Sequence, residues 1–496
     1  MSFLEGGILA AAILGLLAVR LGAHERIGRL VAVIGTTAAS LLLIGYLLAG
    51  HFRWQMWPAA LVVVILVLLT IRNTSRRAEP GEPSAPRPPR RLKRWAANAL
   101  LILVGAVAVS LPMLFPLDFL PRPTGTYAVG TTRFNLRDET RPEVFTADPA
   151  DRRELEVVTW YPAADAKKPI APFWGNPVLI GSELSKSLGL PGFFFSHVKH
   201  VRSHAHLDAE VAGPARFPIL LFSHGYGSFA GQSSALFEDL ASHGYIVLAI
   251  NHPHEGVATT LSSGRPVTFD RKNIEAFGSD YNRSAAAMKR ASDASNPVTA
   301  EQGLRDAIGQ MPTIERSLKT WASDIEFVRQ AVSSGATSGS LRAVAGAADF
   351  DRLGVVGMSF GAAAAMEMCS STGACKAVVN LDGSPISRSA LSGTPAPVLF
   401  LVSDSAPNNR MNMPFFRRAG SGSVYALLKG SLHYDYSDLS LVSPIFRWLG
   451  IVGPIGGERA TVATRTTVRA FLDQHLKPGK APAEPQNADV EVLSRR

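Results

Sequence analysis

The distribution of apolar positions divides the chain into two regions. Near the start, four apolar stretches approach or reach the roughly 20 residues that a helix needs to cross a bilayer. They cover residues 3–19, 30–49, 54–71 and 95–115. The pattern therefore predicts an all-α membrane segment of four transmembrane helices over residues 1–120.

After residue 125 the pattern changes to short apolar runs that alternate with amphipathic stretches. Runs typical of buried strands cover residues 155–161, 218–223, 245–250, 353–357, 376–381 and 397–402. Helical spacing of apolar residues covers 234–243, 317–332, 363–369 and 468–476. This alternation predicts a mostly parallel sheet flanked by helices. We expect an α/β domain of the α/β-hydrolase type over residues 125–478, followed by a disordered tail at 479–496.

The charge is concentrated in the apolar region. Of the formal net charge of +10, the first 122 residues carry 13 basic and 5 acidic side chains. The basic residues gather between the first and second spans and in a Pro- and Arg-rich linker at residues 73–94. Lys and Arg accumulate on the cytoplasmic side of membranes. We therefore predict an integral membrane protein with both basic loops in the cytoplasm and the α/β domain on the extracytoplasmic side. The nearly neutral remainder argues against nucleic-acid binding.

A nucleophile motif stands between a predicted strand and a predicted Ala-rich helix. Residues 357–361 read Gly-Met-Ser-Phe-Gly, the pattern G-x-S-x-G, with Ser359 at its centre. A serine on a tight strand-to-helix turn leaves no room for side chains two residues away, which explains Gly357 and Gly361. The turn would expose the hydroxyl at a helix N-terminus, where developing negative charge is favoured. The motif predicts Ser359 as a catalytic nucleophile.

A serine nucleophile needs a base, an acid that orients the base, and an oxyanion hole. In this fold the chain order is serine, acid, histidine. His433 lies in a loop downstream of Ser359, whereas the other downstream histidine falls in the closing helix. Asp382 and Asp404 each follow a predicted strand, and spacing leaves both open as the acid.

The expected oxyanion donors are backbone N–H groups at two places. One belongs to Phe360, directly after the nucleophile. The second belongs to Tyr226, in the segment His-Gly-Tyr-Gly that follows the strand run 218–223. Glycine on both sides would let this loop approach a substrate oxygen closely.

Together these segments resemble the platelet-activating factor acetylhydrolase family of α/β hydrolases, close to dienelactone-hydrolase-like esterases. The resemblance extends over roughly residues 125–476. It is carried by LEVVTWYPA (155–163), FSHGY (222–226), DLASHGY (239–245), NHPHE (251–255), LGVVGMSFG (353–361), AVVNLDG (377–383) and GSLHYDYSD (430–438). The four-helix segment lies outside it.

The resemblance implies Ser359 as nucleophile, Asp382 as acid, His433 as base, and Tyr226 and Phe360 as oxyanion donors. It implies a serine ester hydrolase that needs no metal or other cofactor and acts on short-acyl or oxidised phospholipids or other small lipid-like esters. An acyltransferase or a polyester hydrolase with the same triad is an alternative. A membrane sensor with a degenerate hydrolase domain is an alternative of another class.

Two further groups of residues bear on the environment of the domain. Cys369 and Cys375 are the only cysteines, and on the predicted extracytoplasmic side they can close a short disulfide. Four histidines lie within ten residues, at 197, 200, 204 and 206, but they lack metal-ligand spacing, and we expect no metal there. We expect His252 and His254 to be packing residues.

Overall fold

The computed structural model describes residues 2–21, 26–75, 91–335, 339–387, 389–405, 410–477, 479 and 487–496. The chain divides into two compact units. The first comprises Met1–Phe119 and Ser196–Val201, and the second comprises Leu120–Phe195 and Arg202–Arg496.

The first unit contains four long helices. They are α1 (Phe3–Leu21), α2 (Arg26–Leu48), α3 (Trp57–Ser75) and α4 (Arg91–Leu114). All four are long and apolar enough to cross a membrane. The predicted linker at 73–94 overlaps these helices at its ends, because α3 extends through Ser75 and α4 begins at Arg91. Residues 76–90 of that prediction lie outside the described part of the chain.

A buried ion pair joins helix ends in the first unit. Arg53, in the turn before α3, donates from Nε to Glu5 Oε1 of α1 over 2.7 Å, and both side chains are fully buried. The Tyr46 hydroxyl of α2 donates to the same carboxylate oxygen over 2.7 Å. Arg53 Nη2 also donates to the carbonyl of Pro112 in α4 over 3.2 Å. A buried ion pair is stable only when its remaining hydrogen-bonding groups are satisfied, and these contacts supply several of the partners.

Among the described residues, the second unit contains the remaining helices and the strands. The strands are β1 (Ala128–Pro142), β2 (Arg152–Ala163), β3 (Ile170–Pro172), β4 (Arg202–Leu207), β5 (Phe217–Ser223), β6 (Ile246–Ile250), β7 (Ala258–Thr260), β8 (Pro266–Thr268), β9 (Ala348–Met358), β10 (Ala377–Leu381), β11 (Val398–Ser403), β12 (Val424–Leu428) and β13 (Val490–Arg495). The helices are α5 (Pro177–Ser187), α6 (Ser234–Ser242), α7 (Arg271–Ser292), α8 (Pro297–Ile308), α9 (Pro312–Ser333), α10 (Gly339–Ala347), α11 (Phe360–Thr372), α12 (Met413–Phe416), α13 (Leu439–Val442), α14 (Ile445–Trp448) and α15 (Gly457–Leu476).

Eleven of these strands form one sheet, in the order β13-β12-β11-β10-β9-β5-β6-β2-β1-β4-β3. The six strands from β12 to β6 are mutually parallel. β2 and β13 close this block on either side by antiparallel pairing. The predicted α/β class with a mostly parallel sheet is therefore confirmed.

Helices cover both faces of the sheet, which explains why its central strands are apolar throughout. In β5, Ile219 and Leu221 belong to the core that includes α9 and α11, whereas Leu220 and Phe222 belong to the core that includes α6 and α15. Successive strand residues point to opposite faces, so a strand covered on both sides must be apolar at every position.

The end of the chain differs from the sequence-based expectation. Residues 490–495, expected within a disordered tail at 479–496, form β13 and pair with β12. Val490 and Val492 alternate with exposed residues and pack against the core. Residues 480–486 of the expected tail lie outside the described residues.

Candidate active site

Ser359 lies on the sharp turn between β9 and α11. Its backbone has φ 57° and ψ −121°, a conformation that costs energy for any residue with a Cβ. The space around the turn explains both motif glycines. A Cβ on Gly357 would lie 2.3 Å from the carbonyl oxygen of Gly361, and a Cβ on Gly361 would lie 2.1 Å from that of Ser223.

The imidazole of His433 lies between Ser359 and Asp382. His433 Nε2 is 2.9 Å from Ser359 Oγ, and His433 Nδ1 is 2.6 Å from Asp382 Oδ2. The structure thus brings together the predicted serine and histidine with one of the two predicted acids. Asp404 instead accepts a hydrogen bond from the N–H of Gly430 over 2.8 Å and fastens the loop that leads to His433.

Two hydrogen-bond donors of Ser403, a residue that sequence reasoning missed, hold Asp382 in place. Ser403, at the end of the neighbouring strand β11, donates its N–H to Asp382 Oδ1 over 2.7 Å and its hydroxyl to Oδ2 over 3.0 Å. The Asn380 side chain clamps the same turn, accepting from the N–H of Gly383 and donating to its carbonyl. Parallel neighbouring strands end at one edge, so a polar residue ending β11 was a usable signal.

Two buried acids downstream of His433 fix its loop. Asp435 Oδ2 accepts from the N–H groups of Leu432 and Gly453, over 2.7 and 2.6 Å. Asp438 accepts from the N–H groups of Ser234 and Ala235 over 2.7 and 3.2 Å, at the start of α6. Burial raises the pKa of Asp435 and raises that of Asp438 strongly, although these backbone donors oppose the change.

The two predicted oxyanion donors border the same cleft as Ser359 and His433. Across the described residues, the N–H groups of Tyr226 and Phe360 donate no hydrogen bond. Gln232, which sequence reasoning missed, accepts from the N–H of Gly225 over 3.0 Å and so holds the loop beside Tyr226.

The cleft has a volume of about 670 Å³ and a largely apolar lining. Its larger apolar and aromatic side chains include Tyr226, Phe277, Met288, Met311, Ile314, Phe360, Ile386 and Met411. Lys289 and Asp293, an ion pair with mostly exposed side chains, also border it. The arrangement suits a ligand with an apolar part and a polar part.

The remaining candidate residues have structural partners. Cys369 and Cys375 form a disulfide with a Cα–Cα distance of 5.5 Å. His204 Nδ1 lies 2.9 Å from Glu238 Oε2, and His206 Nδ1 lies 2.6 Å from the carbonyl oxygen of Lys168. Within the described ranges, no group of three or more His, Cys, Asp or Glu side chains is arranged to hold a metal ion.

A mostly parallel sheet covered by helices, with a serine on a strained turn between a central strand and a helix, defines the α/β-hydrolase class. The solved structure of a ferulic acid esterase from Streptomyces cinnamoneus superimposes on this chain with a TM-score of 0.57. It covers 76% of this chain and 100% of its own length at 22% sequence identity, a likeness of fold. The chain belongs to the family described as platelet-activating factor acetylhydrolase, isoform II, whose model matches residues 117–490.

Curated relatives match a similar share of the chain. The platelet-activating factor acetylhydrolase of Bos taurus is 25% identical over 365 residues, covering 72% of this chain and 77% of the relative. That of Gallus gallus is 24% identical over 366 residues, covering 72% and 83%. The family match begins after α4, so the four apolar helices are an addition to the family region.

Proposed function

We propose that the chain is a membrane-anchored serine ester hydrolase in which Ser359 is the nucleophile, His433 the base and Asp382 the orienting acid. The observation that carries the proposal is the hydrogen-bonded series from Asp382 Oδ2 through His433 to Ser359 Oγ, at 2.6 and 2.9 Å. Membership of the acetylhydrolase family supports the same reaction class.

In the proposed mechanism, His433 begins neutral with its proton on Nδ1, donated to Asp382. Nε2 then accepts the Ser359 proton as Oγ attacks the ester carbonyl, and Asp382 stabilises the imidazolium that forms. The proton passes from Nε2 to the departing alkoxide, and an acyl-enzyme remains. Water then gives a proton to His433 Nε2 as it attacks the acyl carbonyl. The bond to Ser359 Oγ breaks, the carboxylic acid product leaves, and His433 returns the proton to Oγ.

The oxyanion of each tetrahedral intermediate binds to the N–H groups of Tyr226 and Phe360. Neither group is engaged by another acceptor among the described residues, and both border the cleft. Donors that are already oriented cost no reorganisation when the charge develops. Removal of one such donor typically costs about 100- to 1,000-fold in kcat.

The proposed substrates are short-acyl or oxidised phospholipids or other small lipid-like esters. The apolar lining of the cleft supports binding of an acyl chain, and the exposed Lys289 and Asp293 beside it support contact with a polar head. An acyltransferase with the same triad differs only in the acceptor that attacks the acyl-enzyme.

The test is hydrolysis by purified full-length protein of a graded series of p-nitrophenyl esters and a short-acyl phospholipid, beside Ser359→Ala. We expect activity in the parent protein and none in the variant, with unchanged thermal unfolding. Adding a primary alcohol measures how the acyl group is divided between water and an acceptor. Absence of hydrolysis, of transfer and of labelling by a fluorophosphonate would favour a sensor.

We further propose that the hydrolase unit lies outside the cytoplasm. Two observations support this orientation: the basic loops between spans and the Cys369–Cys375 disulfide. Disulfides persist in oxidising compartments.

Fusions of alkaline phosphatase test the orientation in bacteria, because the phosphatase is active only outside the cytoplasm. A fusion after Arg496 should be active, and one after Thr74 should be inactive. The reverse pattern would place the hydrolase unit in the cytoplasm and overturn the proposed orientation.

A further inference from the structure

The hydrolase unit contains a second series of serine, histidine and aspartate that does not border the cleft. Ser223 Oγ lies 3.0 Å from His252 Nε2, and His252 Nδ1 lies 2.9 Å from Asp324 Oδ2. All three residues are fully buried. They come from the end of β5, the segment after β6, and the middle of α9.

The protonation of this series follows from its partners. Arg153 donates to Asp324 Oδ1 and Oδ2 over 3.2 and 2.7 Å, and Arg141 lies 3.0 Å from Oδ1. Although burial opposes it, the charge of Arg153 holds the pKa of Asp324 below its usual range. An ionised carboxylate only accepts, so His252 donates a hydrogen bond from Nδ1, and its Nε2 accepts a hydrogen bond from the Ser223 hydroxyl.

Burial excludes a catalytic role for Ser223 itself. The side chain lies on a regular strand, paired with β6 and β9, and no part of it reaches solvent. His252 stacks on Trp321 with ring centroids 3.9 Å apart and planes 10° apart, which leaves no room for a substrate. Burial also lowers the pKa of His252, so the imidazole stays neutral.

The series ends at the loop that carries one of the proposed oxyanion donors. Ser223 is followed directly by His224, Gly225 and Tyr226. His252 contacts this loop a second time, because its backbone N–H donates to His224 Nε2 over 3.2 Å. His224 in turn donates from Nδ1 to the carbonyl of Gly225 over 2.7 Å.

The same imidazole is also linked by packing to the second proposed donor. Trp321, on which His252 stacks, contacts the ring of Phe360 edge-on with centroids 4.9 Å apart. Gly361 approaches the carbonyl of Ser223 so closely that a Cβ would lie 2.1 Å from it. The position of β5 therefore affects both sides of the oxyanion hole.

We propose that Ser223, His252 and Asp324 are positioning residues that fix the oxyanion loop for the reaction proposed above. Asp324 orients His252, and His252 holds both the end of β5 and His224. A displacement of about 1 Å in such a group can cost about 100-fold in rate. The inference rests on the proposed function, since it assigns a role only if Tyr226 serves as a donor.

The first test is Ser223→Ala in the full-length protein, compared with Ser185→Ala. Ser185 is also fully buried, and its hydroxyl donates to the carbonyl of Gly181 in α5 and accepts from the N–H of Phe195. We expect Ser223→Ala to lower kcat for a p-nitrophenyl ester about 10-fold with less than about a 2-fold change in KM. Affinity for a trifluoromethyl ketone, which forms an oxyanion on Ser359, should fall about as much as kcat/KM. Ser185→Ala should change neither.

A second variant separates positioning from folding. His252→Asn keeps an N–H donor near Asp324 but loses the acceptor for Ser223, so its kcat should fall about as far as that of Ser223→Ala. Combining both changes should cost less than the sum of the two single losses, because both variants remove the hydrogen bond between Ser223 and His252.

Three results would contradict a positioning role for Ser223, His252 and Asp324. They are an unchanged kcat per fluorophosphonate-labelled site in Ser223→Ala, full additivity in the double variant, and loss of unfolding temperature without loss of analogue affinity. A parent protein that hydrolyses no ester would instead overturn the proposed function, and the positioning role with it. An active parent protein beside an equally active Ser223→Ala overturns the positioning role alone.

Discussion

Two series of serine, histidine and aspartate lie in one domain with nearly equal hydrogen-bond lengths. In one, Ser359 stands at φ 57°, Asp382 at φ 54°, and the side chain of His433 is 39% exposed. In the other, Ser223 ends a regular strand and all three residues are fully buried. The difference teaches that residue types and spacing do not define a nucleophile. Backbone strain and access to a cleft distinguish the two series.

Their acids differ in electrostatic partners as well. Asp382 is held by the N–H and hydroxyl of Ser403, which are neutral donors. Asp324 is held by the guanidinium groups of Arg153 and Arg141. A buried charge must be paired, whereas a carboxylate beside a solvent-accessible histidine can remain free to stabilise a transient imidazolium. The buried series is therefore suited to rigidity and the exposed one to proton transfer.

The largest expected effect concerns covalent labelling. A fluorophosphonate should label the parent protein, and Ser359→Ala should abolish labelling completely although Ser223 keeps its histidine partner. The reason is access, since Ser223 is fully buried. In-gel fluorescence and mass spectrometry of the labelled peptide provide the measurement. A label on Ser223 would remove the basis of the comparison.

A change at the exposed acid should mainly affect rate. Asp382→Asn should lower kcat by about 10,000-fold with little change in unfolding, because an amide favours the wrong imidazole tautomer. Asp404→Asn, the matched control at the neighbouring strand end, should cost less than about 10-fold, since Asp404 binds the Gly430 N–H. Steady-state kinetics beside thermal unfolding measures both, and equal losses would contradict the assignment of the acid.

A change in the support of that acid should have an intermediate effect. Ser403→Ala removes one hydroxyl donor to Asp382 and keeps the backbone donor. A hydrogen bond to a charged group contributes about 1.5–3 kcal/mol, so kcat should fall about 10- to 100-fold. Ser371→Ala, at a serine of α11 whose hydroxyl donates to the Met368 carbonyl, is the control. An unchanged kcat in Ser403→Ala would mean that the backbone donor suffices.

The smallest expected effect is a pH dependence of stability from the buried histidines. Burial lowers the pKa of His224 and His252 in the folded state, whereas the unfolded chain titrates near 6.5. Below about pH 6.5 the unfolded state binds more protons than the folded state. The free energy of unfolding therefore decreases as the pH is lowered. Each histidine contributes up to about 1.4 kcal/mol per pH unit.

Urea unfolding of the full-length protein in detergent, at pH 7.5 and 5.5, measures this dependence. His252→Asn should show a smaller difference between the two pH values than the parent protein, because one titrating group is gone. A difference between the two pH values as large in His252→Asn as in the parent protein would show that His252 is not held neutral.

The sequence was informative where local patterning and a motif coincide. Apolar runs of strand length predicted the central strands, because a sheet covered on both faces needs them. The motif around Ser359 combined with a single loop histidine pointed to His433. Asp382 and Asp404 remained alternatives on spacing alone, since both end parallel strands at one edge and only the side-chain direction separates them.

The buried series was not predictable in the same way. Ser223, His252 and Asp324 are separated along the chain, and no motif connects them. Asp324 lies within an amphipathic helix, where an acid usually faces water. His252 was expected to be a packing residue, and only its tertiary neighbours give it partners. β13 was missed because its short alternation of valines follows a Pro- and Ala-rich stretch.

The ion pair between Glu5 and Arg53 has a consequence for biogenesis. The ribosome makes α1 and α2 before it makes Arg53, so Glu5 has no cationic partner while the first helical hairpin enters the bilayer. Under the proposed topology, this carboxylate lies at the outer surface without Arg53 until the turn before α3 has been translated. The contact of Arg53 with Pro112 requires α4 as well. The full set of contacts around Arg53 can therefore form only after the last helix has been made, and most of the hydrolase unit is translated afterwards.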